Sequence, residues 1–281
     1  LLMIIRSDDR QALARSLAEI AGMGRLEFKN GLVSDCDSLL VRLRDRILSS
    51  DCCVYVLIHH ICRRLELDNG NFSSFNLRRL LTTENAFSAF LRNHGITFKL
   101  TDEAIVPFLN DRRINLASIP TNYGASLRRR LLGASRDADV CVNGFALGDS
   151  IQKNSEFSYY AECPELIRML DCILHSLDLL HDYQELSRTY LISYPVNITD
   201  VILDSCSEAC SCKKVERLVG CYLDRLFYGL STDGLINADL GNVVLRVNDD
   251  VDLSGRGCVV RKYEKGRLEL LQDNLSDMKC I

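Results

Sequence analysis

The longest apolar run in the chain is CCVYVLIHHI, residues 52–61, and the way it folds determines the architecture of the first third of the sequence. The run is about half as long as the ~20 residues that a membrane-spanning helix needs. It follows SDCDSLLVRLRDRILSS, residues 34–50, whose apolar residues recur at helical spacing. We therefore predict that the run is helical, either within one long helix or as a second helix after a break near residues 49–50. One of its two histidines, His59 or His60, is expected to pack with its ring nitrogens hydrogen-bonded.

Outside this run the sequence combines helix and strand signals. Capping residues, terminal glycines and amphipathic spacing predict helices over residues 7–22, 82–95, 155–187 and 213–228. Alternating or compact apolar runs predict strands over residues 96–100, 188–194 and 241–247, and a hairpin over residues 257–271. The predicted fold class is α+β: a helical N-terminal region, residues 1–95, followed by a mixed domain, residues 96–281, with a small, mainly antiparallel sheet.

Composition and charge narrow the class of protein. Apolar residues make up 47% of the 281 residues and charged residues 26%, which is typical of globular rather than disordered chains. The net charge is −4, so no global basic field is available, and nucleic acid and membrane are not expected as partners. No signal peptide or membrane span is evident, so we expect a cytoplasmic protein, and a protein partner remains open.

The thirteen cysteines are not expected to form a disulfide framework, since no secretion signal accompanies them. The one cluster is CSEACSCKK, residues 206–214, with Cys206, Cys210 and Cys212. A structural zinc site usually has four ligands in two close pairs, and the second pair is missing here. We predict a polar loop without a metal, although Cys221 or His181 could complete a site in space.

The order of elements in the second half has a family likeness. A helix over residues 155–187, a strand over 188–194 and a helix over 213–228 precede TDGLINAD and GNVVLRV, residues 232–239 and 241–247. Over about residues 155–250 this order resembles the RES family. That resemblance implies an ADP-ribosyltransferase-like fold and the consumption of NAD as a substrate, often as a toxin or defence component.

The resemblance also implies site residues. Tyr159 or Tyr160 would stand before the catalytic carboxylate, which falls nearest Asp171 where the family has Glu. Asp239 falls where the family has a late Ser, and Asn242 would lead a strand at the cofactor-binding side. The family's early Arg has no counterpart between residues 144 and 159, so the phosphates of NAD would be held by Arg128, Arg130 or Arg136.

The chemistry agrees with these residue types. Cleavage of an N-glycosidic bond needs a carboxylate beside the oxocarbenium-like centre, which Glu162 or Glu165 could also supply. The competing interpretation treats Asp171 and Glu165 as surface acids, the tyrosines as a packing pair and the arginines as a solvated basic face.

Two alternative functions remain open. Arg168 and His175 stand two helical turns apart, as in metal-independent RNases of the HEPN class, and would be exposed. The other alternative is a non-enzymatic interaction or regulatory protein, in which residues 229–242 only turn the chain. That interpretation predicts no cavity where titratable groups converge.

Overall fold

The computed structural model describes residues 2–49, 53–65, 72–101, 104–131, 140–175, 177–203, 210–231, 242–255 and 257–277. The described helices are α1 (Arg10–Ala21), α2 (Arg25–Ser34), α3 (Cys36–Leu48), α4 (Leu77–Thr82), α5 (Ala86–Asn93), α6 (Asn122–Leu131), α7 (Phe157–Glu162), α8 (Glu165–Leu174), α9 (Leu179–Leu186) and α10 (Ser211–Ser231). The described strands are β1 (Leu2–Ile5), β2 (Cys53–Leu65), β3 (Ile96–Leu100), β4 (Ile105–Leu109), β5 (Arg112–Arg113), β6 (Asn143–Phe145), β7 (Ser187–Asn197), β8 (Ile202–Leu203), β9 (Val244–Arg246), β10 (Val259–Glu264) and β11 (Arg267–Asp273). The α+β class is confirmed.

The strands form two sheets. The larger has the order β11-β10-β7-β2-β6-β9-β8, with β1 added parallel to β2, and its other pairings are antiparallel. The smaller is the antiparallel sheet β3-β4-β5. Strands from both sides of residue 95 pair within the larger sheet, so backbone hydrogen bonds cross the predicted division of the chain.

The apolar run at residues 52–61 is a strand, and the prediction of a helix there is wrong. β2 pairs with β7 from Tyr55 to Leu65, while β1 and then β6 pair with its other edge. Because β2 is central and mostly covered on both faces, its apolar residues run on without alternating. A continuous apolar run has no hydrophobic periodicity, so a buried strand cannot be distinguished from a buried helix by its pattern. The preceding residues, whose apolar positions have helical spacing, do form a helix, α3, which ends at Leu48.

Helices cover the larger sheet. Buried residues of α1, α2, α3 and α10 form one core with β2, β7 and β9. A second core joins α5, α6, α8 and α9 to the smaller sheet. The two cores meet along β2, where Leu65 belongs to the second core and Val56 and Ile58 to the first.

The predicted helix over residues 155–187 is three helices, α7, α8 and α9. Pro164 lies directly before α8. Proline lacks the N–H group that a helix interior needs, so it is favoured at the start of a helix. His175 and Asp178 have positive φ angles of 44° and 47°, which end α8 and begin α9. Two other local sequence signals predict the structure correctly. Gly22, in the left-handed region, ends α1, and the turn at Lys265–Gly266 joins β10 to β11.

Helix α1 is capped by Asp9, whose side chain accepts a hydrogen bond from the Ala12 N–H. No helix in the described part of the chain is long and apolar enough to cross a membrane.

Candidate functional site

A cavity of about 450 Å³ lies along the edge of β2 where β6 stops pairing. On that edge β6 pairs with β2 only at His59, whereas β7 follows the opposite edge as far as Leu65. Its volume is within the range of ~300–1,000 Å³ that is typical of small-molecule sites. The lining residues with polar side chains are His60, Cys62, Arg63, Arg64, Ser73, Ser74, Asn85, Arg130, Cys141, Asn143, Tyr160, Glu165 and Tyr183.

The charge of the cavity wall is opposite in sign to that of the whole chain. Among the described lining residues, Arg63, Arg64 and Arg130 are cationic and Glu165 is the one acid. The wall is therefore net positive in a protein whose net charge is −4. A concave surface lined with cations concentrates anions from solution.

Glu165 and Arg130 form an ion pair at the wall. The Arg130 Nη2 atom lies 2.6 Å from Glu165 Oε2, and the two side chains are 19% and 29% exposed. Glu165 is the first residue of α8, where an acidic side chain is favoured by the positive end of the helix. Because α6 carries Arg130 and packs on α8, the pair holds a carboxylate in one orientation at the cavity.

Arg63 and Arg64 fix the walls as well as contributing charge. Arg63 donates a hydrogen bond of 2.7 Å to the hydroxyl of Ser187, and burial lowers the pKa of Arg63. Arg64 donates to the hydroxyls of Ser74 at 2.8 Å and Tyr194 at 3.2 Å. These oxygen partners are neutral, and they orient the two guanidinium groups.

His60 offers a hydrogen-bond acceptor in the cavity. Burial lowers the pKa of His60 to about 4, so its ring is neutral at pH 7. Nδ1 lies 2.7 Å from the Asn143 carbonyl oxygen, which can only accept, so Nδ1 carries the proton. The other nitrogen, Nε2, is then an acceptor suited to a ligand hydroxyl.

Tyr160 supplies an aromatic wall and a donor. Burial raises the pKa of Tyr160 to about 12, so its hydroxyl keeps its proton at neutral pH. Its ring meets those of Phe145 and Tyr159 edge to face, with centroid distances of 6.5 and 5.4 Å.

Of the site residues predicted from the sequence, Tyr160 and Arg130 line the cavity. Tyr159 lies beside Tyr160 and is 41% exposed. Asp171 lies elsewhere: its carboxylate accepts a hydrogen bond of 3.2 Å from the Leu180 N–H, between α8 and α9. The role predicted for Asp171 stays a prediction, and the carboxylate that the cavity itself presents is that of Glu165.

The remaining predicted NAD-binding residues are dispersed. The side-chain amide of Asn242 accepts a hydrogen bond of 2.9 Å from the Leu147 N–H and donates one of 3.0 Å to the Leu147 carbonyl oxygen. These two bonds hold Asn242 against the backbone of Leu147. Arg128 donates to the Ala117 carbonyl at 3.2 Å. Arg136 and Asp239 lie outside the described residues, as does most of the predicted loop at 229–242.

The predicted RNase pair, Arg168 and His175, does not lie within one helix, because α8 contains Arg168 and ends before His175. Arg168 bonds Glu162 at 2.7 Å, and its guanidinium lies 4.7 Å from the centre of the Tyr159 ring. His175 is the exposed residue that follows the helix, with φ of 44°. Their predicted role stays a prediction.

Sequence analysis missed His60, Arg63 and Arg64 as cavity residues. His60, Cys62 and Arg64 stand at every second position, which is the spacing of one face of a strand. The helical interpretation of the run concealed that alternation.

The cysteine cluster shows no metal geometry in the described region. Cys210 and Cys212 are exposed, and Cys206 lies outside the described residues. In the part of the chain that the structure describes, no group of three His, Cys, Asp or Glu side chains is suited to a metal ion.

A second polar cluster, beside the cavity, is sealed. His59 is fully buried, with Nε2 2.8 Å from Ser7 Oγ and Nδ1 2.7 Å from Ser193 Oγ. Ser7 and Ser193 are also fully buried, so this Ser–His–Ser arrangement has no access for a substrate. The prediction that one histidine of the pair packs with both ring nitrogens bonded is confirmed by His59.

Comparisons of the chain with protein-family models, with curated proteins and with solved structures find no match.

Proposed function

We propose that the protein binds NAD in the cavity beside β2 and cleaves its nicotinamide N-glycosidic bond, with Glu165 as the catalytic carboxylate. The observation that carries this proposal is the convergence of one oriented carboxylate, three arginines and a protonated tyrosine on a single cavity of about 450 Å³. A non-enzymatic protein in which residues 229–242 only turn the chain would need no such convergence.

The electrostatics of the wall suit the pyrophosphate of a dinucleotide. Guanidinium groups bind phosphate oxygens in a bidentate manner, and Arg64 lines the cavity. The neutral His60 ring, with Nε2 as acceptor, suits a ribose hydroxyl. Phe75, Phe87 and Tyr160 provide apolar and aromatic surface for planar bases.

In the proposed reaction, the bond between ribose C1′ and the nicotinamide nitrogen breaks, and the electron pair leaves with nicotinamide. The carboxylate of Glu165 stabilises the positive charge that develops on the ribose. Water or another nucleophile then adds to C1′ and releases its proton to solvent. Arg130 is a positioning residue here, since it holds Glu165 through the 2.6 Å ion pair.

The test is nicotinamide release from NAD by the purified protein. Glu165→Gln removes the charge in the cavity, and Asp171→Asn makes the same change on the same helix outside it. We expect Glu165→Gln to lower the rate by about a hundredfold or more, and Asp171→Asn to leave it within about twofold.

Three results would contradict the assignment. Loss of activity in Asp171→Asn alone would restore the carboxylate predicted from the sequence. Equal activity in both variants would remove Glu165 from the mechanism. The absence of release by the folded wild type would favour a nucleotide-binding regulatory protein, or no nucleotide function if ADP-ribose also fails to bind.

A further inference from the structure

One segment of the chain carries a net positive charge, because it contains few acidic residues. Residues 72–131 contain nine Arg and Lys residues and four Asp and Glu residues, so this segment is net +5 while the rest of the chain is net −9. The total of −4 hides this division. A local basic field of this size attracts polyanions even though the whole protein is acidic.

Four arginines of this segment lie on β5 and α6. Arg112 and Arg113 are exposed on β5, and Arg128 and Arg129 lie on α6. Arg128 donates a hydrogen bond of 3.2 Å to the carbonyl oxygen of Ala117, which follows Arg113 by four residues, so α6 packs on the chain segment that leaves β5. We call these four arginines, together with Tyr123, the arginine surface.

The arginines of this surface are available to bind an external anion. Among the described residues, no carboxylate forms an ion pair with Arg112, Arg113, Arg128 or Arg129. Three other cations of the segment do have acidic partners: Arg79 with Asp252, Arg92 with Glu84 and Arg130 with Glu165. Among the described residues, the contrast therefore separates arginines that already pair with a carboxylate from arginines that do not.

Exposed aromatic rings accompany the charge. Tyr123, at the start of α6, is 43% exposed, and Tyr159 is 41% exposed. Tyr123, Arg130 and Glu165 are all close enough to Tyr159 to act electrostatically on its phenol. Tyr123 of the arginine surface and the cavity residues Arg130 and Glu165 therefore have Tyr159 as a common neighbour.

We propose that the arginine surface binds single-stranded nucleic acid. Arginines spaced along a surface pair with successive phosphates, and exposed rings stack on unpaired bases. A duplex keeps its bases stacked within itself, so it would gain nothing from Tyr123. This binding goes beyond the proposed turnover of NAD and does not depend on it.

The test is fluorescence anisotropy of a labelled oligothymidylate of about twenty nucleotides with the full chain, at about 50 and 200 mM salt. Arg128→Ala/Arg129→Ala is expected to reduce the slope of log K against log salt by about 1.4, since each phosphate contact on a single strand contributes about 0.7. Tyr123→Ala is expected to weaken binding by roughly tenfold.

The matched control is Arg25→Ala/Lys29→Ala on α2, which removes two exposed cations outside residues 72–131. It is expected to leave the affinity within about twofold. Arg112→Ala/Arg113→Ala provides an independent test if loss of the Arg128 contact to Ala117 disturbs folding, which circular dichroism would detect. A reduced slope in this second variant supports the proposal equally.

The proposal is overturned if the wild type fails to bind the oligonucleotide at about 50 mM salt, or if the control loses as much affinity as the surface variants. Tighter binding of a duplex of the same length would also overturn it. Equal displacement by a polyglutamate peptide would instead identify an acidic protein as the partner.

Discussion

The neighbouring histidines of β2, His59 and His60, occupy opposite environments. His59 is enclosed, with both ring nitrogens bonded to buried serine hydroxyls. His60 bonds one backbone carbonyl and faces a cavity lined with arginines. The difference arises because consecutive side chains of a strand point to opposite faces of the sheet, so His59 and His60 meet different neighbours. Three experiments can break or sharpen this comparison.

The largest effect is expected from His59→Leu, which leaves the hydroxyls of Ser7 and Ser193 buried without their partner. We expect a loss of about 4 kcal/mol in the free energy of unfolding, since each unsatisfied buried polar group costs ~1–3 kcal/mol. His60→Leu removes one hydrogen bond at a cavity wall and should cost about 1 kcal/mol. Urea unfolding of both variants measures the difference. Equal costs would show that the two environments do not differ in stability.

A smaller effect is expected from Gly148→Ala. A Cβ at this position would lie 2.5 Å from His59 Nδ1, and the ring is locked between two serines. We expect a loss of about 2 kcal/mol in the free energy of unfolding, because a closely packed core resists added volume.

The matched glycine for that experiment is Gly220 in α10, which has nothing within 4 Å of its added Cβ. Gly220→Ala should stabilise the protein by about 0.5–1 kcal/mol through helix propensity. A similar change in melting temperature for both alanine variants would mean that His59 is free to move away.

The smallest effect concerns pH. Burial lowers the pKa of His59 to about 3 and of His60 to about 4, below the ordinary value of 6.5. Between pH 6.5 and about 4 the unfolded chain therefore binds more protons than the folded one, so stability falls as the pH falls. Each histidine contributes at most about 1.4 kcal/mol per pH unit in this window.

The check is urea unfolding at pH 7, 6 and 5 for the wild type and His60→Leu. The variant is expected to show the shallower dependence on pH, by about 1 kcal/mol per unit. Three charged side chains act on His59: Asp8, Arg6 and Arg261. Asp8 is buried, but the hydrogen bonds that it accepts from the two arginines keep its pKa well below the usual range. Asp8 therefore titrates below this window. Parallel pH profiles would show that His60 is solvated in the folded protein.

Much of the fold follows from local sequence signals. The αL glycine after α1, the apolar spacing of α10 and the turn at Lys265–Gly266 each act within a few residues, and each predicted its element correctly. Pro164 favours a helix start, yet the amphipathic spacing on both sides of it predicts one continuous helix over residues 155–187. His175 ends α8 and Asp178 begins α9, and both take positive φ angles that few non-glycine residues adopt. No local sequence pattern predicts these angles.

The candidate site was only partly accessible to sequence reasoning. The family resemblance implies Tyr160 and Arg130 as site residues, and Glu165 is a carboxylate of the type that the proposed chemistry needs. His60 and Arg64 were not found, because a helix places them among core residues whereas the strand places them on one face. The role of Asp171 was inferred from family order, and its contact with Leu180 depends on how α9 packs against α8.

The sequence by itself determined the α+β class, most element positions outside β2 and the types of side chain available for chemistry, because these depend on spacing, caps and composition. Only the tertiary structure decided that residues 53–65 form the central strand, since its pairing partner, β7, lies more than a hundred residues away. It also decided that Glu165, Arg130 and His60 share one cavity. Their proximity comes from the packing of α6 on α8 and from the point where β6 stops pairing, and neither is encoded in any local stretch of the chain.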